Sequence, residues 1–152
     1  MIGLSIRVKN TPDTFLYKLF DGIDLLKYAW EILEDFIMCE KNNEHSQKLF
    51  DSNEMSGEEF FNCISINGYY MIFADIKAYP IKSNRVDIKT YDDYIKSDCQ
   101  IIFLCADSSY IDFYSKDSKI LDKAHENCIK YKFDKVMPIT EENNTRTRIS
   151  VW

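Results

Sequence analysis

Tyr69-Tyr70-Met71-Ile72-Phe73-Ala74-Asp75-Ile76-Lys77-Ala78-Tyr79-Pro80 is the stretch that decides the fold. It is dense in aromatic and branched side chains, which fit a pleated and half-buried surface, and it stops at a proline. Tyr69 to Tyr79 therefore reads as a strand. Alternate side chains of a strand point to opposite faces. Ile72, Ala74, Ile76 and Ala78 are small or aliphatic and suit packing under helices. Tyr69, Met71, Phe73, Asp75, Lys77 and Tyr79 form the other set.

Downstream, Thr90 with Asp93 opens a short helix through Tyr94 and Ile95. Ile101 to Ala106 is apolar on both faces, as a central strand should be. Asp107-Ser108-Ser109 turns the chain into Tyr110 to Ser115, giving a hairpin. From Ser118 to Tyr131, apolar residues recur at helical spacing through Ile120, Leu121, Ala124, Cys128 and Ile129. Val136 to Ile139 and Arg146 to Trp152 close the chain as strands.

Upstream, Ser56 and Glu59 have the spacing of a capping box, and Phe60, Phe61 and Ile64 continue that helix toward a turn at Asn67-Gly68. Tyr28 to Leu33 and Phe36 to Glu40 read as two strands around Glu34-Asp35, with a helix through Trp30 and Leu33 as the alternative. Thr11-Pro12 starts a short helix whose stripe is Phe15, Leu16, Leu19 and Phe20, and Gly22 ends it. Ile2, Leu4, Ile6 and Val8 alternate with polar residues as a half-buried first strand. Strands outnumber helices, and the links between many of them are too short for parallel crossovers. The expected fold is α+β, a mainly antiparallel sheet with helices packed on one face, and residues 1–152 form a single domain.

The chain has 152 residues, 45% hydrophobic and 29% charged, enough to bury a core without a disulfide or metal staple. Its net charge is -6, from 19 basic against 25 acidic residues, which argues against a nucleic-acid partner and against an anionic membrane surface. The excess is local. Residues 31–60 carry nine acidic side chains and two basic ones, Lys41 and Lys48, while the rest of the chain is close to balanced. Such a run is either a solvated face or a docking surface for a basic protein partner.

Five cysteines (Cys39, Cys63, Cys99, Cys105, Cys128) show no pairing rhythm, and there are only two histidines, His45 and His125. Reduced thiols and no metal site are expected, since zinc ligation favours clustered Cys and His. Met1 to Lys9 alternates instead of forming a continuous apolar signal region, and apolar runs are short. A cytoplasmic protein with no membrane span follows.

Three segments offer a mixed aromatic and charged face, so a ligand or partner face is assigned to Tyr69, Phe73, Asp75, Lys77, Tyr79, Tyr110, Asp112, Tyr114, Arg146, Arg148 and Trp152. Sheet stabilisation and burial in a homodimer are the plainer uses of the same side chains. Catalytic signatures are weaker. Asp75-Ile76-Lys77 has the spacing of a nuclease motif, but about 2.4 acid-spacer-lysine triplets are expected by chance and three occur. A Cys-His pair of Cys105 or Cys128 with His125 needs an accessible thiol, yet both thiols read as buried, and no Gly-x-Ser-x-Gly turn is present. No catalytic residue and no cofactor is assigned.

The segment Tyr69 to Pro80 and the ending Thr140-Glu141-Glu142-Asn143-Asn144-Thr145-Arg146-Thr147-Arg148-Ile149-Ser150-Val151-Trp152 resemble an uncharacterised family of low-GC Gram-positive bacterial proteins, the domain of unknown function numbered 2691. The first strand, Asp24 to Trp30 and Thr90 to Tyr94 are similar too, and the likeness fades between Glu34 and Met55. The resemblance implies a cytoplasmic bacterial protein of about this length and transfers no activity, ligand or catalytic residue. Together these features point to a non-enzymatic protein-interaction module, of an immunity or regulatory type. The alternative is a small-molecule-binding or enzymatic domain using an open sheet face.

Overall fold

The structure is a computed structural model and describes residues 1–151. In chain order it contains β1 (Gly3–Arg7), α1 (Phe15–Leu19), a 3-10 turn (Leu25–Lys27), β2 (Tyr28–Lys41), β3 (Glu44–Ser46), β4 (Glu54–Ser56) and α2 (Gly57–Ile64). There follow β5 (Tyr70–Pro80), α3 (Tyr91–Lys96), β6 (Ile101–Ala106), β7 (Tyr110–Ser115), α4 (Ser118–Lys130) and β8 (Lys135–Ile139). The strands form one sheet in the order β3-β2-β5-β6-β7-β1-β8, with β4 on the outer side of β2. Every strand pair is antiparallel. The architecture is α+β.

Local chemistry places the elements. The Ser56 hydroxyl accepts the Glu59 N–H while the Glu59 carboxylate accepts the Ser56 N–H, the expected capping box, and Thr90 with Asp93 repeats the arrangement at α3. Asn42 and Asn43 both take positive φ and turn β2 into β3; Asp107 and Ser108 do the same between β6 and β7.

Two expectations about the strands change. Tyr28 to Glu40 is neither two strands nor a helix, but lies in one strand, Tyr28–Lys41, of 14 residues with irregular pairing. Ile32 pairs with Ile76 and Glu34 with Asp75, leaving Leu33 as an extra residue; Phe36 pairs with Phe73 and Ile37 with Met71, leaving Ile72 extra on β5. The second bulge inverts the alternation of β5. Met71 and the adjoining Tyr69 join the same core as Ala74, Ile76 and Ala78 instead of facing the other way. The expected strand over Arg146 to Trp152 does not form over residues 146–151, whose pairing is a single isolated β-bridge, Thr90 to Arg148, and Trp152 lies outside the described residues.

Two apolar clusters lie on opposite sides of the sheet. The larger joins Leu16 and Leu19 of α1, Phe60 of α2 and Leu121 and Ala124 of α4 to Leu4, Ile76, Phe103 and Phe113 of the strands. Trp30 stacks on Phe60 at 3.9 Å between ring centroids, with Phe20 edge-on to both. Each such fully buried side chain contributes about 1.5–3 kcal/mol. The smaller cluster gathers Tyr79, Ile102, Leu104 and Tyr114 under Ile88, Tyr94 of α3 and Ile149. Three helices therefore serve the first cluster and α3 serves the second, so helices are not confined to one face.

Candidate functional site

The side chains assigned to an open face are largely covered. Lys77 is 1% exposed, and its ammonium donates to the Asp75 carboxylate at 2.7 Å, two residues away on the same side of β5. Tyr79 and Tyr114 are buried beside the pair. Burial outweighs the Lys77 charge and pushes the Asp75 pKa up. The cover is the segment 146–151. Arg146 Nε donates to Asp112 at 2.7 Å, and another guanidinium nitrogen of Arg146 donates to the carbonyls of Arg148 and Ser150. Ile149 is fully buried, its N–H donating to the Lys89 carbonyl at 2.9 Å. The Val151 N–H reaches toward the second Asp75 oxygen at 3.4 Å.

Of the assigned residues, Asp75, Lys77, Tyr79, Asp112, Tyr114 and Arg146 thus stand on one covered half of this side. Arg148 is exposed on the covering segment, and Trp152 lies outside the described residues. Phe73 is half-buried, and Tyr110 is exposed at the uncovered end. Tyr69 is elsewhere, in the first core: its hydroxyl accepts the Leu16 N–H and donates to the Ile64 carbonyl, tying α1 to α2. Asp75 and Lys77 line no open cavity, because Ile149 and the rest of the C-terminal segment occupy that space.

The acidic segment forms the β2–β4 edge of the sheet and runs into α2. Glu40, Glu44, Asp51, Glu54, Glu58 and Glu59 are exposed. Asp35 turns inward, accepting the N–H groups of Leu49 and Phe50, and burial raises its pKa despite these bonds. The thiols of Cys99, Cys105 and Cys128 are pushed up to about 12 by burial, far from a reactive thiolate. Among the described residues no group of three or more His, Cys, Asp or Glu could hold a metal ion. Among those residues no helix is long and apolar enough to cross a membrane.

The open apolar site lies between α1, the 3-10 turn and α2. It is a cleft of about 640 Å³ with Tyr17, Ile23, Leu26 and Phe61 on its walls and Asp21, Asp24 and Glu58 around them; no Lys, Arg or His lines it. Leu26 is 63% exposed, Phe61 44% and Tyr17 40%, and the rings of Tyr17 and Phe61 meet at 5.9 Å. The residue at position 57 sets the spacing. A β-carbon there would lie 2.2 Å from the Leu25 carbonyl oxygen, so only glycine lets the 3-10 turn rest on the start of α2. Trp30 Nε1 holds that same oxygen at 3.2 Å, and Asp24 caps the turn by accepting the Leu26 N–H. Asp21 accepts the Tyr131 hydroxyl at 2.6 Å and the Lys130 ammonium at 3.0 Å, which lowers its pKa and keeps it a carboxylate.

The sequence reading missed this site, although a signal was present. Leu16-Tyr17, Leu25-Leu26 and Phe60-Phe61 are apolar doublets in helical segments. Adjacent helical residues diverge by about 100°, so a narrow core-facing stripe takes one of each pair. Leu16, Leu25 and Phe60 are buried, and Tyr17, Leu26 and Phe61 face the cleft.

A family model described as Protein of unknown function (DUF2691) matches residues 1–150. The Uncharacterized protein YncE of Bacillus subtilis (strain 168) is 30% identical over 150 residues, covering 98% of each chain. No solved structure matches. The chain belongs to the DUF2691 family.

Proposed function

We propose that this member of the family is a protein-interaction module whose cleft between α1 and α2 receives a basic, amphipathic helix from a partner protein. One observation carries the reading: the cleft combines exposed Tyr17, Leu26 and Phe61 with two exposed carboxylates, Asp24 and Glu58, while the third, Asp21, is already paired with Lys130. Helix-lined apolar grooves take amphipathic helices through a few apolar anchors, while rim charge selects the partner and speeds its approach. Glu58 belongs to the acidic segment, and exposed Glu59 extends the same potential beyond the rim, whereas Glu54 is matched by Arg85. A small acidic module that occludes a basic partner is what an immunity or regulatory role requires. Five unpaired cysteines favour a reducing, cytoplasmic setting.

The test is fluorescence anisotropy with a labelled helical peptide carrying leucine on one face and lysine on the other. Binding is expected at low ionic strength, weaker binding as salt screens the carboxylates, and loss with Leu26→Asp or Phe61→Asp. A matched peptide with glutamate in place of lysine should fail. Undiminished binding by Leu26→Asp, or no binding at low salt, overturns the proposal.

A further inference from the structure

Four stretches of chain meet at the end of the sheet that carries the β6–β7 turn: the exit of β1, the approach to β5, that turn, and the link from α4 to β8. They line a cavity of about 260 Å³, just under the roughly 300–1,000 Å³ that drug-sized ligands occupy. The antiparallel bridge of Asp13 with Tyr69 pins one wall. Phe15 and Phe133 supply aromatic wall, their ring centroids 4.7 Å apart, and half-buried Tyr70 adds to it, its hydroxyl donating to the Asn10 side chain.

The charge on these walls is not balanced within the chain. Asp13 is held by the Lys18 ammonium at 2.8 Å. Lys9 and Lys132 are exposed on the walls and form no ion pair among the described residues, and Asp134 is the one wall carboxylate in the same state. Two free ammoniums against one free carboxylate leave the walls with a surplus positive charge, in a chain whose net charge is -6. Asp107, next to Ser108, is exposed and lies off the walls, while the Thr11 and Ser108 hydroxyls on them add two further donors.

Lys132 also holds a backbone position that is costly for a lysine. Helix α4 ends in a Schellman motif: the Lys132 N–H donates to the Ile129 carbonyl at 3.2 Å and the Phe133 N–H to the Cys128 carbonyl at 3.0 Å. The residue at this point takes φ +57°, the left-handed region in which glycine is the usual occupant. The motif brings Phe133 onto Phe15 and puts the Lys132 side chain on the cavity wall. Strain of this kind gathers at ligand sites, where the side chain is needed more than the relaxed backbone.

We propose that this cavity binds a small aromatic carboxylate, its ring against Phe15 and Phe133 and its charge met by the Lys9 and Lys132 ammoniums. The rings supply apolar contact area, and charge-assisted hydrogen bonds from the lysines select an anion over a neutral molecule of the same shape. The cavity shares no wall residue with the helix-binding cleft, so the two proposals stand or fall separately.

Amide-resolved NMR of the full chain titrated with benzoate tests it. Saturable shifts are expected, clustered at the amides of Lys9, Ser108 and Lys132 and weakened by added salt. Benzamide keeps the ring without the charge, acetate keeps the charge without the ring, and neither should reproduce them. Lys9→Ala and Lys132→Gly should each weaken the binding of benzoate, and Asp134→Asn, which removes the opposing charge, should strengthen it. Lys132→Gly also relieves the backbone, so it should melt no lower than the wild-type chain, and its loss of binding is then not a loss of fold. Should it melt lower, Lys9→Ala, at an exposed side chain, gives the same reading. No saturable shift with benzoate, equal shifts with benzamide, unchanged affinity in both lysine variants, or weaker binding by Asp134→Asn each overturns the proposal.

Discussion

The covered half of the second sheet side and the cleft between α1 and α2 are built from like materials, aromatic rings beside carboxylates. The chain finishes them differently. Over Asp75 and Lys77 it lays residues 146–151, held by Arg146 on Asp112 and by Ile149 sunk among Tyr94, Leu104 and Tyr114. Over Tyr17, Leu26 and Phe61 it lays nothing among the described residues. The carboxylates differ accordingly: Asp75 is matched internally by a buried ammonium, whereas Asp24 and Glu58 face solvent. The charge of Asp75 is balanced within the chain, as a structural pair is, whereas those of Asp24 and Glu58 are the ones the proposed partner would meet. Substitutions in the two regions should separate stability from binding.

The largest effect belongs to the covered region. Lys77→Met removes the cation from a buried carboxylate and should cost about 3–5 kcal/mol in urea unfolding, while Asp75→Val with Lys77→Met should recover much of that loss. The sign of its pH dependence is fixed by Asp75. Without Lys77 the folded-state pKa rises further above the unfolded value of 3.8, so the folded chain holds the proton more tightly. Stability of the single variant should then fall as pH rises from about 4 through the raised pKa, making its deficit smaller at acid pH. A deficit that is equal at both ends of that range would mean the pair is not buried as described.

Next comes the plug. Ile149→Ala empties a fully buried site and should cost about 2–4 kcal/mol. Its second consequence is local. Cys99 lies in the cluster beneath the C-terminal segment, and Cys105 and Cys128 lie in the other one. Labelling by a thiol reagent should therefore accelerate at Cys99 more than at the other two, because loosening the cover opens one side of the sheet first. Equal acceleration at all three would show that the two sides open together. Smaller again is Gly57→Ala, where the methyl group must push the 3-10 turn off α2 at about 1–3 kcal/mol, with a matching loss of peptide binding in the cleft.

Much of this division was written in local patterns, and its limits are physical. Period-two alternation correctly put Ala74, Ile76 and Ala78 under helices and Asp75, Lys77 and Tyr79 on the other side. It failed at Tyr69 and Met71 because one extra residue, Ile72, inverts parity, and a bulge depends on pairing with a distant strand. The capping boxes at Ser56 and Thr90 were legible because both partners lie within four residues. The cover over Asp75 was not: Arg146 meets Asp112 across 34 positions, and a segment with one bridge and few backbone bonds has no periodicity to display. The cleft was half legible in its apolar doublets, which reveal surplus hydrophobic side chains without saying that three of them converge.

The smallest effect on folding should carry the largest effect on binding. Leu26 is 63% exposed, so Leu26→Ser removes little buried area, and its urea midpoint should stay within about 0.5 kcal/mol of the wild-type value. The backbone of the turn is held independently, by Asp24 on the Leu26 N–H and by Trp30 on the Leu25 carbonyl, neither of which uses the Leu26 side chain. An apolar anchor lost from a groove costs more than about 1 kcal/mol of binding, so affinity for the leucine-lysine peptide should fall by about fivefold or more. A Leu26→Ser chain that unfolds like Ile149→Ala would show that this leucine supports the fold. One that keeps both stability and affinity would show that the cleft is merely surface, and the contrast with the covered side would then lose its functional meaning.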